Sequence, residues 1–283
     1  MWERSYDGTA TLYLIPTLIG NMEDMTYRGV RILSEVEVVF SEDTRVTQNL
    51  LRYFNINKKL ISLHNFNEDR CKKKVLEYLK NGYNVGLVTD RGTPIISDPG
   101  YKTVKYVSDN GYRVVGLPGA NAFVPALIVS GIAPQPFLFY GFLDSKMDKR
   151  RKELEKLKFY DCSLIFYEAP HRILVTMKLM YEIFGNRNVS LSREISKKFE
   201  SVYRGNIVDL IPTLSDVKGE FVIVVDGNHD TFSNDGDLGV VEQVHFYINS
   251  GMSKMDAIKQ VARERNLKKN DVYSMFHNER GDS

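Results

Sequence analysis

The stretch Val85-Gly86-Leu87-Val88-Thr89-Asp90-Arg91-Gly92-Thr93-Pro94-Ile95-Ile96-Ser97-Asp98-Pro99-Gly100 decides the fold class. Its first four residues form an apolar run that predicts a buried strand, and a helix-like segment follows its last glycine. The glycines and prolines between them fix an unusual backbone path that a packed core does not need. Open α/β sheets bind ligands in such loops, at the carboxyl ends of their strands. We therefore predict an α/β protein with a ligand site at residues 89–100, named the Asp90 loop below.

The two aspartates of this loop differ in what they predict. Asp90 comes first after the strand, where its carboxylate can accept hydrogen bonds from ligand hydroxyls or an amine. For Asp98 two interpretations stay open. It contributes to the ligand site, or the Asp-Pro-Gly sequence only turns the chain and begins the next helix.

Composition sets the class of protein. The chain has 283 residues, of which 43% are hydrophobic and 26% charged, which is typical of a globular protein. Its net charge of +2 excludes a global field that attracts polyanions, so only local patches can do so. Cys71 and Cys162 lie in unrelated segments and predict neither a disulfide framework nor a metal site. No secretory signal or membrane span is visible, and we expect a cytoplasmic protein.

Strand and helix patterns alternate along the chain. Strands are predicted at 11–15, 36–41, 60–63, 85–88 and 113–116, with helices at 24–36, 44–54, 68–79 and 102–109. This alternation predicts a mostly parallel sheet with helices on both faces. A second α/β unit follows, with strands at 137–140, 163–167, 189–193 and 221–225 and helices at 149–157 and 170–183. Pro170 is expected in the first turn of the last helix, where its missing N–H costs nothing.

A small helical module is predicted at the end of the chain. Residues 227–236 are polar and indicate a linker. Three short helices at 238–250, 254–265 and 269–277 resemble a helix-turn-helix unit. The expected domains are therefore 1–118, 119–227 and 236–283.

Four loops marked by glycine or proline follow predicted strands. They are residues 16–21, the Asp90 loop, 117–122 and 167–172. Parallel strands place such loops at one edge, so we expect them to line one cleft around a small molecule. The chain has neither a G-x-x-x-x-G-K-[ST] loop nor a G-x-G-x-x-G sequence after its first strand, which disfavours nucleoside triphosphates and dinucleotides.

Two charged motifs also follow strands, and each has two interpretations. In the segment 41–45, Asp43 or Thr44 caps a helix, or Glu42 and Arg45 contact a substrate at the cleft mouth. Residues 193–200 form a solvated charged loop, or a phosphate clamp beside the reacting centre. His171 is a catalytic base or simply a residue of a first helical turn.

Basic residues cluster in two places, around residues 146–158 and around 254–269. Each cluster alone is equally consistent with a solvated helix face. Two such clusters on a nearly neutral chain favour a nucleic-acid partner, because phosphate contacts give sequence-independent affinity.

Seven motifs in chain order resemble the tetrapyrrole methylase superfamily, enzymes that use S-adenosylmethionine and hold it between two α/β domains. Within it they are most similar to the bacterial 2′-O-methyltransferases of small-subunit ribosomal RNA. The motifs lie at 16–22, 42–45, 89–100, 118–122, 167–172, 193–200 and 218–221. The resemblance therefore extends from about residue 11 to the last predicted helix.

The resemblance implies a reaction and a set of site residues. The 2′-hydroxyl of a cytidine ribose, in the decoding region of 16S ribosomal RNA, would attack the methyl group of S-adenosylmethionine. Glu42 and Lys197 would be candidates for the base, and Arg45 and Arg193 would orient the substrate. The cofactor would be held by Thr17, Leu18, Asp90, Thr93, Asn121, Ala122, Tyr167 and Glu168. The resemblance further implies a homodimer that acts on the small ribosomal subunit, with neither a metal nor a membrane involved.

Several residues depart from the family motifs. Leu18 replaces a proline, Ile95 a frequent glycine, and Ala120-Asn121 a Pro-Ser pair. Arg91 replaces a small residue, and its cation would either repel the sulfonium of the cofactor or point outward to RNA phosphate. Two alternatives follow: a methylase of a tetrapyrrole or of a protein side chain, or an RNA-binding assembly factor that has lost the cofactor.

Overall fold

The structure, a computed structural model, describes residues 8–229, 239–249 and 252–278. Within them, the first sheet contains five parallel strands. The strands are β1 (Thr11–Leu14), β2 (Val38–Ser41), β3 (Lys59–Ser62), β4 (Val85–Val88) and β5 (Arg113–Gly116). They pair in the order β3-β2-β4-β1-β5. All five carboxyl ends therefore meet at one edge, as the sequence predicts.

Helices cover both faces of this sheet because its strands are apolar on both sides. The helices are α1 (Tyr27–Glu35), α2 (Thr44–Tyr53), α3 (Glu68–Lys80) and α4 (Tyr101–Asp109). On one face Tyr13 and Ile15 belong to the core that contains Ile32 of α1 and Leu51 of α2. On the other face Leu12 belongs to the core built from α3 and α4. Neighbouring residues of a strand point to opposite faces, which accounts for this division.

The second sheet is mixed. Its strands are β6 (Phe137–Phe142), β7 (Ser163–Glu168), β8 (Asn188–Arg193), β9 (Ser201–Asn206) and β10 (Phe221–Val225), in the order β6-β7-β10-β8-β9. Only β6 and β7 pair in parallel; β10 lies antiparallel between β7 and β8. Helix α5 (Phe123–Val129) packs on one face, and α6 (Met147–Leu157) and α7 (Ile173–Phe184) pack on the other. A short helix, α8 (Ile207–Leu210), follows β9.

Two predicted helix starts are wrong. The helix expected from residue 24 begins at Tyr27, because the hydroxyl of Thr26 accepts the N–H of Gly29 and caps it there. Residues 22–24 instead form a separate 3-10 turn. The helix expected from residue 170 begins at Ile173, so Pro170 lies before it. The N–H groups of Arg172 and Ile173 both donate to the carbonyl of Ala169, which makes residues 169–172 a turn.

The helical module has the three predicted helices, α9 (Val240–Asn249), α10 (Lys254–Glu264) and α11 (Lys269–Asn278). They enclose a small core that includes Val244, Val261 and Phe276. The rings of Phe159 and Phe246 lie 4.2 Å apart and join the module to the chain after α6. Most of the predicted linker lies outside the described residues. None of the described helices is long and apolar enough to cross a membrane.

Candidate functional site

A cavity of about 570 Å³ lies between the two sheets. All four predicted loops contribute to its wall: Ile19 from the first, the Asp90 loop, residues 121–122 from the third, and residues 167–171 from the fourth. The chain after β8 and the start of β10 complete the wall. The carboxyl edge of the first sheet thus faces the second sheet across one binding space.

Hydrogen bonds between the loops fix the shape of this cavity. Thr17 is buried; its N–H donates to the carbonyl of Gly92 at 2.9 Å, and its hydroxyl donates to the carbonyl of Thr89 at 3.2 Å. The hydroxyl of Thr93 donates to the carbonyl of Ala120 at 3.0 Å. Three loops are therefore tied together. Within the Asp90 loop, Ile95 adopts a left-handed conformation (φ 77°) that costs free energy in a β-branched residue.

Three carboxyl groups surround Thr89 at one end of the cavity. The hydroxyl of Thr89 donates to Glu42 at 3.3 Å, and Asp90 accepts the N–H of Asp43 at 2.9 Å. Burial raises the pKa of Glu42, and the charge of Asp90 raises it further. Burial likewise raises the pKa of Asp98 to about 6, assisted by the charges of Glu42 and Asp90. Asp98 lines the cavity, whereas helix α4 begins at Tyr101 with Gly100 as its N-cap and no side-chain cap, so the ligand-site interpretation of Asp98 fits better.

The carboxylate of Glu168 is engaged below the cavity. One oxygen pairs with Arg172 at 3.0 Å and accepts the N–H of Ala169 at 2.9 Å. The other accepts the hydroxyl of Thr176 at 2.6 Å, and that hydroxyl in turn accepts Arg150 at 2.9 Å. Glu168 therefore anchors the fourth loop through its side chain. Arg150, counted in the first basic cluster, is buried in this network and does not face solvent.

An ion-pair network spans the mouth of the cavity. Arg91 and Lys197 each lie 2.8 Å from a different oxygen of Glu220, and Lys197 lies 2.8 Å from Glu194. Burial lowers the pKa of Lys197, but hydrogen bonds to Glu194 and Glu220 outweigh it and raise that pKa above its usual value. Lys197 is consequently an ammonium ion at neutral pH. The cation of Arg91 is offset by Glu220 across the cleft.

Most of the predicted site residues converge, and some do not. The residues that line the cavity are Asp90, Thr93, Asn121, Ala122, Tyr167, Glu168 and Lys197. Thr17 lies beneath the loops, Glu42 contacts Thr89 beside them, and Leu18 adjoins Ile19 in the first loop. Arg45 lines a separate groove on α2.

In the first charged motif the structure shows the capping interpretation. Asp43 is the N-cap of α2 and accepts the N–H of Arg45 at 2.9 Å. Its side chain also accepts the guanidinium of Arg45, and this hydrogen bond lowers the pKa of Asp43 to about 2. Arg193 is the last residue of β8.

Sequence reasoning missed Glu220 and Phe142, which also line the cavity. Glu220 lies within the motif at 218–221, so a signal for it was present in the sequence. Phe142 ends β6 and shows no comparable signal. His171 lines the cavity from the turn before α7, so its position is compatible with the interpretation as a catalytic base.

Comparison with protein families and relatives gives a consistent result. The family model of the tetrapyrrole (corrin/porphyrin) methylases matches residues 11–211. A protein of Bacillus subtilis (strain 168), ribosomal RNA small subunit methyltransferase I, is 44% identical over 273 residues, 94% of each chain. Its namesake in Halalkalibacterium halodurans is 41% identical over 279 residues, 96% of each chain.

Solved structures share the fold at low sequence identity. Uroporphyrin-III C-methyltransferase from Thermus thermophilus, complexed with S-adenosylhomocysteine, has a TM-score of 0.55 and 16% identity, and covers 77% of this chain and 97% of its own. Diphthine synthase has a TM-score of 0.57 and 11% identity, and covers 77% of this chain and 90% of its own. These likenesses show the two-sheet architecture alone.

Proposed function

This chain belongs to the tetrapyrrole methylase superfamily and, within it, to the family of ribosomal RNA small subunit methyltransferase I, and we propose on that premise that it is a 2′-O-methyltransferase of 16S ribosomal RNA. Its substrate would be a cytidine ribose in the decoding region. The observation that carries the proposal is the cavity between the two sheets, to which all four predicted loops contribute.

The cavity suits S-adenosylmethionine in size and chemistry. Its volume of about 570 Å³ lies within the range of about 300–1,000 Å³ that is usual for ligand pockets. Carboxylates at one end complement a cation, and Tyr167 and Phe142 supply apolar surface. When bound, S-adenosylmethionine supplies an electrophilic methyl group on a sulfonium. We assign its binding to Thr17, Leu18, Asp90, Thr93, Asn121, Ala122, Tyr167 and Glu168, with Thr17 acting through the loops that it ties together.

Positioning is the main contribution of the chain. The tethers from Thr17 and Thr93 hold three loops in one arrangement before ligands arrive. Holding two reactants in a productive geometry removes a large part of a bimolecular barrier, on the order of 7–11 kcal/mol in ideal systems. The anchored carboxylate of Glu168 serves the same purpose for the fourth loop.

We assign the acceptance of the 2′-hydroxyl proton to Asp98. Asp98 lines the cavity, and burial raises its pKa to about 6, near neutral pH, which suits a general base. Glu42 then acts by raising the pKa of Asp98 through its charge. Lys197 is held as an ammonium ion by two carboxylates, so its proposed role is to donate a hydrogen bond to the substrate. Arg193 and Arg45 are proposed to orient RNA, Arg45 from its separate groove.

The environment of Arg91 bears on the alternative of a cofactor-deficient assembly factor. Its guanidinium pairs with Glu220, so the cleft does not hold an uncompensated cation at this position. The reason for expecting lost cofactor binding is thereby removed, and the transferase remains the better supported function.

The partners follow from the same proposal. The small ribosomal subunit is the proposed partner, with exposed cations of the helical module contacting its RNA. We further propose a cytoplasmic homodimer whose subunits divide into domains 1–118, 119–227 and 236–283.

Methyl transfer from labelled S-adenosylmethionine tests this function. The acceptors are small ribosomal subunits from cells that lack the modification, compared with subunits that already carry it. We expect label only in the first set, recovered as 2′-O-methylcytidine after digestion of the 16S RNA. Failure to label the unmodified subunits would refute the proposal.

A further inference from the structure

A second cavity of about 370 Å³ adjoins the first. The two cavities share Ile19, Asn121 and Ile195 in their walls. Beyond that shared wall the second cavity lies between helix α5 and strands β8 and β9. A ligand in it would therefore sit next to whatever occupies the first cavity.

The second cavity contains a buried hydroxyl group that lacks a partner. Ser192 of β8 lines it and is 0% exposed. Among the residues that the structure describes, none forms a hydrogen bond with its Oγ. Burying a hydroxyl without a partner is costly, so a ligand that accepts this hydrogen bond would relieve the cost.

The remaining wall combines apolar surface with two carboxylates. Val124, Val129 and Val202 supply the apolar part. Asp24 and Glu200 supply the carboxylates, and both are held by Ser196, whose hydroxyl donates to Asp24 and whose N–H donates to Glu200. A fitting ligand has apolar faces and an edge that carries both a donor and an acceptor.

We propose that the second cavity receives the cytosine base of the target nucleotide, an assignment that rests on the proposed function. Cytosine carries an exocyclic amine that donates to a carboxylate, and beside it ring N3 and O2 accept from a hydroxyl. Enzymes that do chemistry on a nucleobase take that base out of its stack into a pocket, and a base extruded in this way also exposes its own ribose. With the base between α5 and β8, the ribose would lie at the wall shared with the first cavity, beside the methyl donor.

Binding of short RNA separates base recognition from catalysis. Fluorescence anisotropy of labelled hexacytidylate and hexauridylate is measured with the full chain and saturating S-adenosylhomocysteine. Phosphate contacts are the same for both oligonucleotides, so a difference in Kd reports the base. We expect the unaltered chain to bind hexacytidylate about tenfold more tightly, as one good base contact allows.

Variants of the wall test the assignment. Ser192→Ala should weaken hexacytidylate binding about three- to tenfold, the contribution of one hydrogen bond. Ser190→Ala is the matched control: Ser190 lies on the same strand and is also buried with an unpartnered Oγ among the described residues, but does not line this cavity. Glu200→Gln should reduce the preference for cytidylate over uridylate, because an amide can donate to O4 of uracil.

The outcomes distinguish the two proposals. Equal binding of both oligonucleotides by the unaltered chain, or equal behaviour of Ser192→Ala and Ser190→Ala, overturns the assignment of this cavity even when methyl transfer is observed. A preference for cytidylate that Ser192→Ala and Glu200→Gln weaken supports it. If that preference is seen but no ribosomal subunit is methylated, the second cavity binds cytosine, and the proposed function fails together with the identification of that base as the methylation target.

Discussion

The contact between Arg91 and Glu220 is the residue-level feature that governs charge in the cleft. Both side chains are more than half exposed, 54% and 64%, so the 2.8 Å ion pair contributes little to stability. Its effect on a bound cation is different, because Arg91 and Glu220 both line the cavity. The pair offsets a positive charge that would otherwise oppose a sulfonium.

Arg91→Ala should therefore favour the cationic cofactor over its neutral product. Removing the guanidinium leaves Glu220 with less compensation, so the ratio of the Kd of S-adenosylhomocysteine to that of S-adenosylmethionine should rise about two- to fivefold, the effect of a charge pair near the surface. Titration calorimetry with both ligands measures it. Arg31→Ala, on α1 and outside the cavity, is the control. Loss of both affinities would show instead that Arg91 holds the ligand directly.

A second prediction concerns Asp98, whose replacement should raise the stability of the folded chain and lower its activity. A carboxyl group whose pKa is 3.8 when unfolded and about 6 when folded binds more protons in the folded chain between these values. The free energy of unfolding therefore falls as the pH rises through this window, and the full penalty applies above it.

The variant Asp98→Asn removes this penalty. Its Tm should rise about 2–4 °C near pH 8 and change little near pH 4, if about 1 kcal/mol of the penalty survives solvent screening. Its methyl transfer should fall about 100-fold or more, because the proposed base is lost. Asp216→Asn, at an exposed turn, is the control for both measurements. A variant that is active but no more stable would contradict both roles.

At the scale of elements, one buried network connects β7, α6 and α7. Glu168 ends β7, Thr176 lies on α7, and Arg150 on α6 reaches the hydroxyl of Thr176. Removing that hydroxyl leaves a buried carboxylate and a buried guanidinium each short of a partner. The fourth cavity loop begins directly after Glu168, so the network also fixes the loop.

Thr176→Val should lower the free energy of unfolding by about 1–3 kcal/mol, the cost of leaving buried polar groups unsatisfied. Urea denaturation followed by circular dichroism measures this change. Thr213→Val is the control. The hydroxyl of Thr213 donates to the carbonyl of Leu210, but Thr213 is exposed, so we expect little change in the free energy of unfolding. Equal effects of the two variants would mean that the network does not stabilise this region.

The central strands of the first sheet, β1, β2 and β4, could be predicted because they are buried on both faces and therefore appear as apolar runs. Strand β9 could not. Among the described residues it is an edge strand that pairs with β8 alone, and its sequence, Ser-Val-Tyr-Arg-Gly-Asn, mixes polar and apolar residues on a partly exposed surface. Helix α5 was also missed, because its seven residues are all apolar and show no helical periodicity.

The candidate site was predictable to a similar extent. The loops carry glycine and proline in characteristic positions, so their convergence followed from strand order. The direction of individual side chains did not. The carboxylate of Glu168 turns inward to Thr176, and Glu220 meets Arg91 across 129 residues of chain. The first contact depends on how α7 packs on its own sheet and the second on how the two sheets face each other, and local sequence encodes neither.

At the scale of the whole molecule, the positive charge that RNA binding needs is concentrated outside the cavity. The chain carries a net charge of only +2, and in the first basic cluster Arg150 is buried and Arg151 pairs with Glu182. The exposed cations of that cluster are Lys146, Lys149, Lys152, Lys156 and Lys158. The helical module keeps four exposed cations, Lys259, Arg263, Lys268 and Lys269. The ring contact between Phe159 and Phe246 ties this module to the second sheet.

Neutralising those four cations should therefore weaken binding to ribosomal subunits without affecting the cofactor. If each contacts one phosphate, replacing all four with glutamine should reduce the slope of log K against log salt by about 3, since each contact contributes about 0.7–0.9. Filter binding at several potassium chloride concentrations measures the slope, and calorimetry shows whether the affinity for S-adenosylmethionine is retained. A chain ending at Gly227 should give the same slope as the glutamine variant, because it lacks the same contacts. An unchanged slope in both would exclude the module as the RNA-binding arm and would leave the exposed lysines of the first basic cluster and the groove around Arg45 as the cationic surfaces to vary next.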